Sequence, residues 1–252
     1  MRELTFLEQA LTEGLLLTDH EVEFRPITDD KEFNALLNQE IYPKIERKLG
    51  NLDRFRGNVS DNEKQVLSYG VTNISGKIPM LCFTEIAEGR ILSNQHVGFG
   101  AYGIIVKRAW LEENKAERVL YVGENSPISR ALYRILMDAK IPTLHIDKIK
   151  GILWGQTREE MKNVWNLLSY VQVRRHLEEL EWRIVGEHGF LGGERDTGKR
   201  LPIRLDDIDY VFVQNDSEVP TTREFIDILA VQQKTARIPT VLAQPEKIPS
   251  VV

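Results

Sequence analysis

Two glutamates and an arginine in the second half of the chain have the types and spacing that glycosyl-transfer chemistry uses. Glu179, Glu181 and Arg183 alternate with leucine and tryptophan in a short segment. If the segment is extended, they share one face, because side chains of a strand point alternately to its two sides. Two carboxylates beside a cation can differ in pKa, which suits a reaction that develops oxocarbenium-like charge. We therefore predict Glu179 and Glu181 as catalytic and Arg183 as ligand-binding; the alternative is a solvated strand edge of ion pairs.

A second candidate segment is dense in glycine and aromatic residues and contains one histidine. His96 precedes Phe99 and Tyr102, and glycines stand at positions 98, 100 and 103. Glycine lets a ligand approach the backbone closely, and aromatic rings offer flat faces for stacking. Histidine titrates near neutral pH and can donate or accept a proton. These three residues are predicted to bind a ligand, with a histidine at the edge of the core as the alternative for His96.

The remaining polar motifs do not specify a metal or phosphate site. Cys82 is the only cysteine, and the five histidines lack the spacing of metal ligands, so no metal is expected. Residues 193–200 nearly match a phosphate-binding loop, but arginine replaces the hydroxyl that would hold magnesium, so an exposed turn is predicted. A metal-dependent nuclease that uses Glu85, Asp147 and Glu181 is a third, weaker hypothesis.

Helical and strand patterns are mixed along the chain without regular alternation. Apolar spacing and capping signals predict helices that start near Leu4, Asp29, Ser126 and the capping boxes at 157–160 and 221–224. Pro43 is expected to kink or split the second of them. Short apolar or alternating runs predict strands at 21–25, 79–84, 103–106, 118–122, 182–185 and 209–214, with a final short strand beyond 236. This pattern predicts the α+β class, with a mixed or antiparallel sheet and flanking helices.

Length and charge limit the domain organisation and the partners. We expect a single α+β domain over 1–236, with a mobile polar insertion at 51–76 and a loosely ordered tail at 237–252. The net charge of -5 gives no support for nucleic-acid binding, although a local basic groove is compatible with an acidic total. No run approaches the roughly 18 apolar residues of a membrane span, and no signal peptide is visible, so a cytoplasmic protein is expected.

Five blocks of the sequence occur in an order and spacing that carry a family resemblance. They are residues 78–86, His96, 99–110, 119–122 and 179–183. Together they resemble the AbiGi-type family of bacterial abortive-infection, phage-resistance proteins. That family is described as the antitoxin partner in a two-gene arrangement, which implies a cognate toxin or antitoxin protein as partner. A more distant likeness, carried by the Glu-x-Glu of the last block, is to ADP-ribosyltransferase-type toxins, and it implies an ADP-ribosyltransferase-like fold with NAD as cofactor.

The resemblance leaves an enzyme and a binding protein open as functions. In the first hypothesis, a phage-defence effector with a nucleotide-binding cleft transfers ADP-ribose from NAD. Glu181 would stabilise the oxocarbenium of the nicotinamide ribose, and Glu179 would assist the acceptor. Tyr102 would stack on the nicotinamide, and His96 would hold the ribose. In the second hypothesis, the protein is a non-catalytic antitoxin or sensor that binds a partner toxin or its operator.

Overall fold

The computed structural model describes residues 3–49, 74–85, 100–147, 151–154, 159–174, 180–187 and 195–243. The chain divides into two units that are each assembled from distant segments. Unit 1 comprises Met1–Thr18, Leu81–Glu117 and Thr197–Val252, and unit 2 comprises Asp19–Met80 and Arg118–Asp196. The single domain over 1–236 stays a prediction, and most of the predicted insertion at 51–76 lies outside the described residues.

Helices and short strands alternate irregularly in both units. The described α-helices are α1 (Leu4–Glu13), α2 (Asp30–Leu36), α3 (Tyr42–Leu49), α4 (Arg108–Glu113), α5 (Pro127–Lys140), α6 (Glu159–Tyr170) and α7 (Val219–Gln233). The described strands are β1 (Leu15–Leu16), β2 (Thr18–Glu23), β3 (Ser75–Thr84), β4 (Gly103–Val106), β5 (Glu117–Arg118), β6 (Leu120–Gly123), β7 (Leu144–Asp147), β8 (Gly151–Trp154), β9 (Val171–Arg174), β10 (Glu181–Val185), β11 (Arg200–Leu201), β12 (Ile208–Val213) and β13 (Thr240–Ala243). The α+β class is confirmed. None of the helices in the described ranges is both long and apolar enough to cross a bilayer.

Local sequence signals account for the start of two helices and for a break in a third. The Asp29 side chain accepts a hydrogen bond from the Glu32 amide at the start of α2, and Ser126 accepts one from the Ser129 amide at the start of α5. Both residues satisfy amides that have no partner within the helix. A π-helical turn over Leu37–Ile41 separates α2 from α3 just before Pro43, which has no amide hydrogen to donate. The predicted split is thus confirmed.

The predicted capping box at 221–224 is wrong. Helix α7 begins earlier, because a 3-10 turn over Asp216–Glu218 leads directly into it. Asn215 and Glu218 form a capping box around that turn, and Pro220 occupies the first turn of α7. The Val219 amide bonds to the Asp216 carbonyl and Pro220 has no amide hydrogen, so the helix has already begun before Thr221.

Unit 1 is organised around a three-stranded sheet. Strand β12 pairs with β4 in antiparallel fashion and with β13 in parallel fashion. Strands β1 and β11 form a separate antiparallel pair. Helix α7 buries one face, formed by Thr222, Ile226, Leu229 and Ala230. The short strand predicted beyond 236 is thus β13, and the tail after it lies outside the described residues.

Unit 2 contains the larger described core and most of a four-stranded sheet in the order β2-β3-β10-β5. Two further pairs are the parallel strands β6 and β9 and the antiparallel strands β7 and β8. The buried apolar side chains come from α2, α3, α5 and α6 and from strands beside them, among them Phe24, Ile41, Tyr133, Leu136 and Trp165. This core holds β6, β9 and β10, which carry the candidate site.

A close approach between β3 and α6 gives a testable requirement for glycine at position 76. A Cβ atom on Gly76 would lie 2.0 and 2.1 Å from two ring carbons of Trp165, whose side chain is buried. We expect Gly76→Ala to lower the free energy of unfolding by about 3 kcal/mol, because the packed ring has little room to move. Urea denaturation measures the change. Gly123→Ala is the control, since its Cβ would meet its nearest neighbour at 3.8 Å; equal losses in both variants would contradict the prediction.

Candidate functional site

Strand β10 carries a buried ion pair between two of the predicted site residues. The side chains of Glu181 and Arg183 are only 11% and 7% exposed. Arg183 Nε donates to Glu181 Oε1 at 2.8 Å, and Arg183 Nη2 donates to Glu181 Oε2 at 3.2 Å. The two side chains meet because they are two residues apart on one strand and therefore point to the same side. The predicted shared face of these two residues is confirmed.

Three further groups complete this cluster, and all of them belong to unit 2. Tyr121 on β6 and Gln172 on β9 are register neighbours in the parallel pair. The Tyr121 hydroxyl donates to Glu181 Oε2 at 2.8 Å, and Arg183 Nη2 donates to Gln172 Oε1 at 2.9 Å. Arg183 Nη1 donates to the backbone carbonyl of Ser169 at 2.8 Å. We call these five residues the Glu181–Arg183 cluster.

The hydrogen bonds of the cluster use most of the capacity of its two charged groups. The Glu181 carboxylate accepts bonds on both oxygen atoms, and Arg183 donates from all three of its nitrogen atoms. A fork-shaped guanidinium matches a carboxylate in this geometry, and such bonds are stronger than neutral ones. The cluster thus connects β10 to β6, to β9 and to the end of α6, with each buried charge compensated by a partner.

The charges of Arg183 and Glu181 also affect the pKa of His20 on β2. Burial of its imidazole lowers the pKa of His20, and the nearby Arg183 guanidinium lowers it further, whereas the carboxylates of Glu181 and Asp19 oppose the shift. Protonation of His20 would place a second cation near Arg183. The neutral imidazole is therefore favoured at neutral pH, and the folded state loses stability as the pH falls below the ordinary histidine range.

Tyr102, the third predicted site residue within the described ranges, lies in unit 1. Its ring is buried, and its hydroxyl donates to Glu218 Oε1 at 2.8 Å. Burial and the neighbouring Glu218 carboxylate raise the pKa of Tyr102. The other oxygen of Glu218 accepts from the Gln214 amide at 3.0 Å. Tyr102 thus contacts the capping box that precedes α7, and its role in ligand stacking stays a prediction.

Three predicted site residues, His96, Phe99 and Glu179, lie outside the described residues. Their proposed roles stay predictions. Sequence patterns had not singled out Gln172, Ser169 or Tyr121 as site residues. Gln172 carried a signal, because a lone amide between Val171 and Val173 on a strand beside the core needs a polar partner.

The described residues contain no group of three or more histidine, cysteine, aspartate or glutamate side chains placed to hold a metal ion. The side chain of Asp147 lies outside this description, so the hypothesis of a nuclease that uses Glu85, Asp147 and Glu181 stays a prediction. Glu181 is bound to an arginine and a tyrosine.

Comparison with known proteins identifies a matching family. The family model described as "Putative abortive phage resistance protein AbiGi, antitoxin" matches residues 55–202. No curated protein and no solved structure matches the chain. The likeness to ADP-ribosyltransferase-type toxins stays a hypothesis. The matched segment covers more than half of the 252 residues and includes all five residues of the Glu181–Arg183 cluster. The chain belongs to the AbiGi family of abortive phage resistance proteins, which is described as an antitoxin family.

Proposed function

We propose that this protein is a non-catalytic antitoxin that neutralises a partner toxin in an abortive-infection system. The family description supports the antitoxin role. The contacts of Glu181 support a non-catalytic role. Its two carboxylate oxygens accept hydrogen bonds from Arg183 and Tyr121, and only 11% of its side chain is exposed. The cluster then serves to hold three strands together rather than to react.

The catalytic hypothesis gives the same carboxylate a different task. A glutamate that stabilises an oxocarbenium must direct an oxygen at the reacting sugar, with its charge available in the transition state. Glu181 directs both oxygens at donors of its own chain. Turning one of them toward a substrate would break buried hydrogen bonds and leave donors without partners, which costs free energy. NAD-dependent ADP-ribosyl transfer is therefore the second candidate.

Two assays on the same variants distinguish these functions. The first measures growth of cells that express the proposed toxin, the product of the adjacent gene in the two-gene arrangement, with and without this protein. The second measures NAD consumption by the purified protein. We expect the wild type to restore growth and to consume no NAD. Tyr121→Phe removes one hydrogen bond to Glu181 and should restore growth as well, with a small loss of stability.

Glu181→Gln gives the decisive comparison. If the proposal holds, this variant loses thermal stability, and it restores growth at temperatures where it stays folded. NAD consumption by the wild type that Glu181→Gln abolishes without a change in melting temperature would overturn the proposal in favour of the transferase. Binding to the promoter DNA of its own gene, without binding to the adjacent gene product, would overturn it in favour of an operator-binding protein.

A further inference from the structure

The outer face of α7 exposes apolar side chains. In a typical surface helix, polar residues occupy this face. Ile228 is 55% exposed and Val231 is 79% exposed. They are three residues apart and therefore neighbours on the helix surface. The opposite face of the helix is buried in unit 1. Within the described part of unit 1, these two side chains are thus largely exposed and not part of its buried core.

Two carboxylates lie beside this apolar pair. Glu224 and Asp227 are exposed, and each precedes one of the apolar residues by four positions, which places all four on adjoining parts of one face. Within the described part of the chain neither carboxylate forms an ion pair. The guanidinium of Arg223 is directed to the backbone carbonyl of Val241, at 3.5 Å. The outer face of α7 therefore combines apolar contact area with uncompensated negative charge.

The helix that carries this face is held at both ends. The capping box of Asn215 and Glu218 precedes α7, and the Tyr102 hydroxyl bonds to Glu218. Near the other end, the side chain of Gln233 accepts a hydrogen bond from the Leu205 amide at 2.9 Å. A surface that is already ordered before binding loses little conformational entropy when a partner arrives.

We propose that Glu224, Asp227, Ile228 and Val231 form a docking surface for a protein groove with an apolar floor and a rim of lysine or arginine. Helices commonly bind in this way, with apolar anchors in a groove and charges at its edge. Complementary charge at the rim steers the two proteins together and excludes other partners. The inference rests on the proposed function in one respect, namely that the groove belongs to the neutralised toxin. Helix α7 lies outside the segment that the family model matches.

A second copy of this chain fits the surface poorly. Pairing α7 with itself would bring four carboxylates together, and like charges at an interface oppose association. Helix α5 offers a useful contrast. It exposes Ile128 and Ile135, but its neighbouring charges are already balanced by ion pairs such as Arg130–Glu32 and Arg134–Glu40.

The test measures binding of the full-length protein to the purified product of the adjacent gene by calorimetry. We expect Ile228→Lys to weaken binding by at least about tenfold, since it removes an anchor and adds a charge of the same sign as the rim. Ile135→Lys on α5 is the matched control, because that isoleucine is 59% exposed and also helical. It should change the affinity by less than about twofold. Glu224→Gln with Asp227→Asn should reduce the dependence of the affinity on salt concentration.

Each result separates this inference from the proposed function. If the adjacent gene product does not bind the wild type at all, the proposed function fails. If it binds, but Ile228→Lys and Ile135→Lys weaken binding equally or only the α5 variant does, the docking surface is wrong and the antitoxin role stands. Self-association of the wild type that Ile228→Lys abolishes would assign the surface to a second copy and also overturn the inference. Unchanged melting temperatures exclude misfolding as the cause.

Discussion

Arg183→Ala is expected to lower the free energy of unfolding by about 3–5 kcal/mol, since it leaves the buried carboxylate of Glu181 without its cation. Only 11% of the Glu181 side chain is exposed in the wild type, so the carboxylate depends on the guanidinium for two of its hydrogen bonds. The Ser169 carbonyl and the Gln172 amide oxygen lose their donors at the same time. Urea denaturation followed by circular dichroism gives the free energy, and the slope of the transition shows whether unfolding stays two-state.

Arg108→Ala provides the control for this experiment. Arg108 pairs with Glu112 one helical turn away, and both side chains are mostly exposed. Removal of an exposed pair of this kind should cost about 0.5 kcal/mol or less. The double variant Glu181→Ala/Arg183→Ala should be more stable than the sum of the single losses implies, because no unpaired charge then remains. An Arg183→Ala variant as stable as Arg108→Ala would show that the cluster contributes little to the fold.

Stability is expected to rise with pH between 7 and 9 because of Lys140. This lysine follows the buried positions of α5 at helical spacing, and its side chain is fully buried. Burial lowers the pKa of Lys140 to about 6, from an ordinary value of 10.5. Between about pH 6 and 10.5 the unfolded chain therefore binds a proton that the folded chain does not, and stability increases by up to about 1.4 kcal/mol per pH unit. Below that window both states are protonated, and the dependence ends.

Lys140→Met tests this account, because methionine has a similar length and no charge. The variant should be more stable than the wild type at pH 7, and the difference should shrink by about 2–3 kcal/mol between pH 7 and 9. Lys44→Met serves as the control, since Lys44 is a partly exposed lysine paired with Asp138. It should retain the slope of the wild type. Parallel pH profiles for the wild type and Lys140→Met would contradict the assignment.

Local signals predicted the parts of the fold that short-range chemistry decides. Asp29 and Ser126 start their helices because a side-chain oxygen satisfies an amide three residues away. Pro43 divides its helix because it has no amide hydrogen. Thr221 and Thr222 also match a capping pattern, but they lie inside a helix that begins at Val219. A capping box is an adequate signal only if the helix has not already begun, and here the turn capped by Asn215 leads into the helix at Val219, two residues before Thr221.

The candidate site shows a different limit. The period of an extended segment was enough to place Glu181 and Arg183 on one side of a strand. It did not show whether the glutamate faces solvent, a substrate or the protein. The answer depends on Tyr121 and Gln172, which are about sixty and ten residues away along the chain and become neighbours only through the parallel pairing of β6 with β9.

The sequence by itself therefore indicated the family through the resemblance of its motif blocks. It also determined the α+β class, the starts of α2 and α5 and the shared side of Glu181 and Arg183, since these follow from spacing and from contacts a few residues apart. The tertiary structure decided what those two side chains touch, that Lys140 is enclosed in the core and that Ile228 and Val231 are left outside it. Burial and hydrogen bonding are properties of residues brought together from distant segments. Periodicity within one segment indicates which face a side chain occupies, and only the packing of the other segments determines what covers that face.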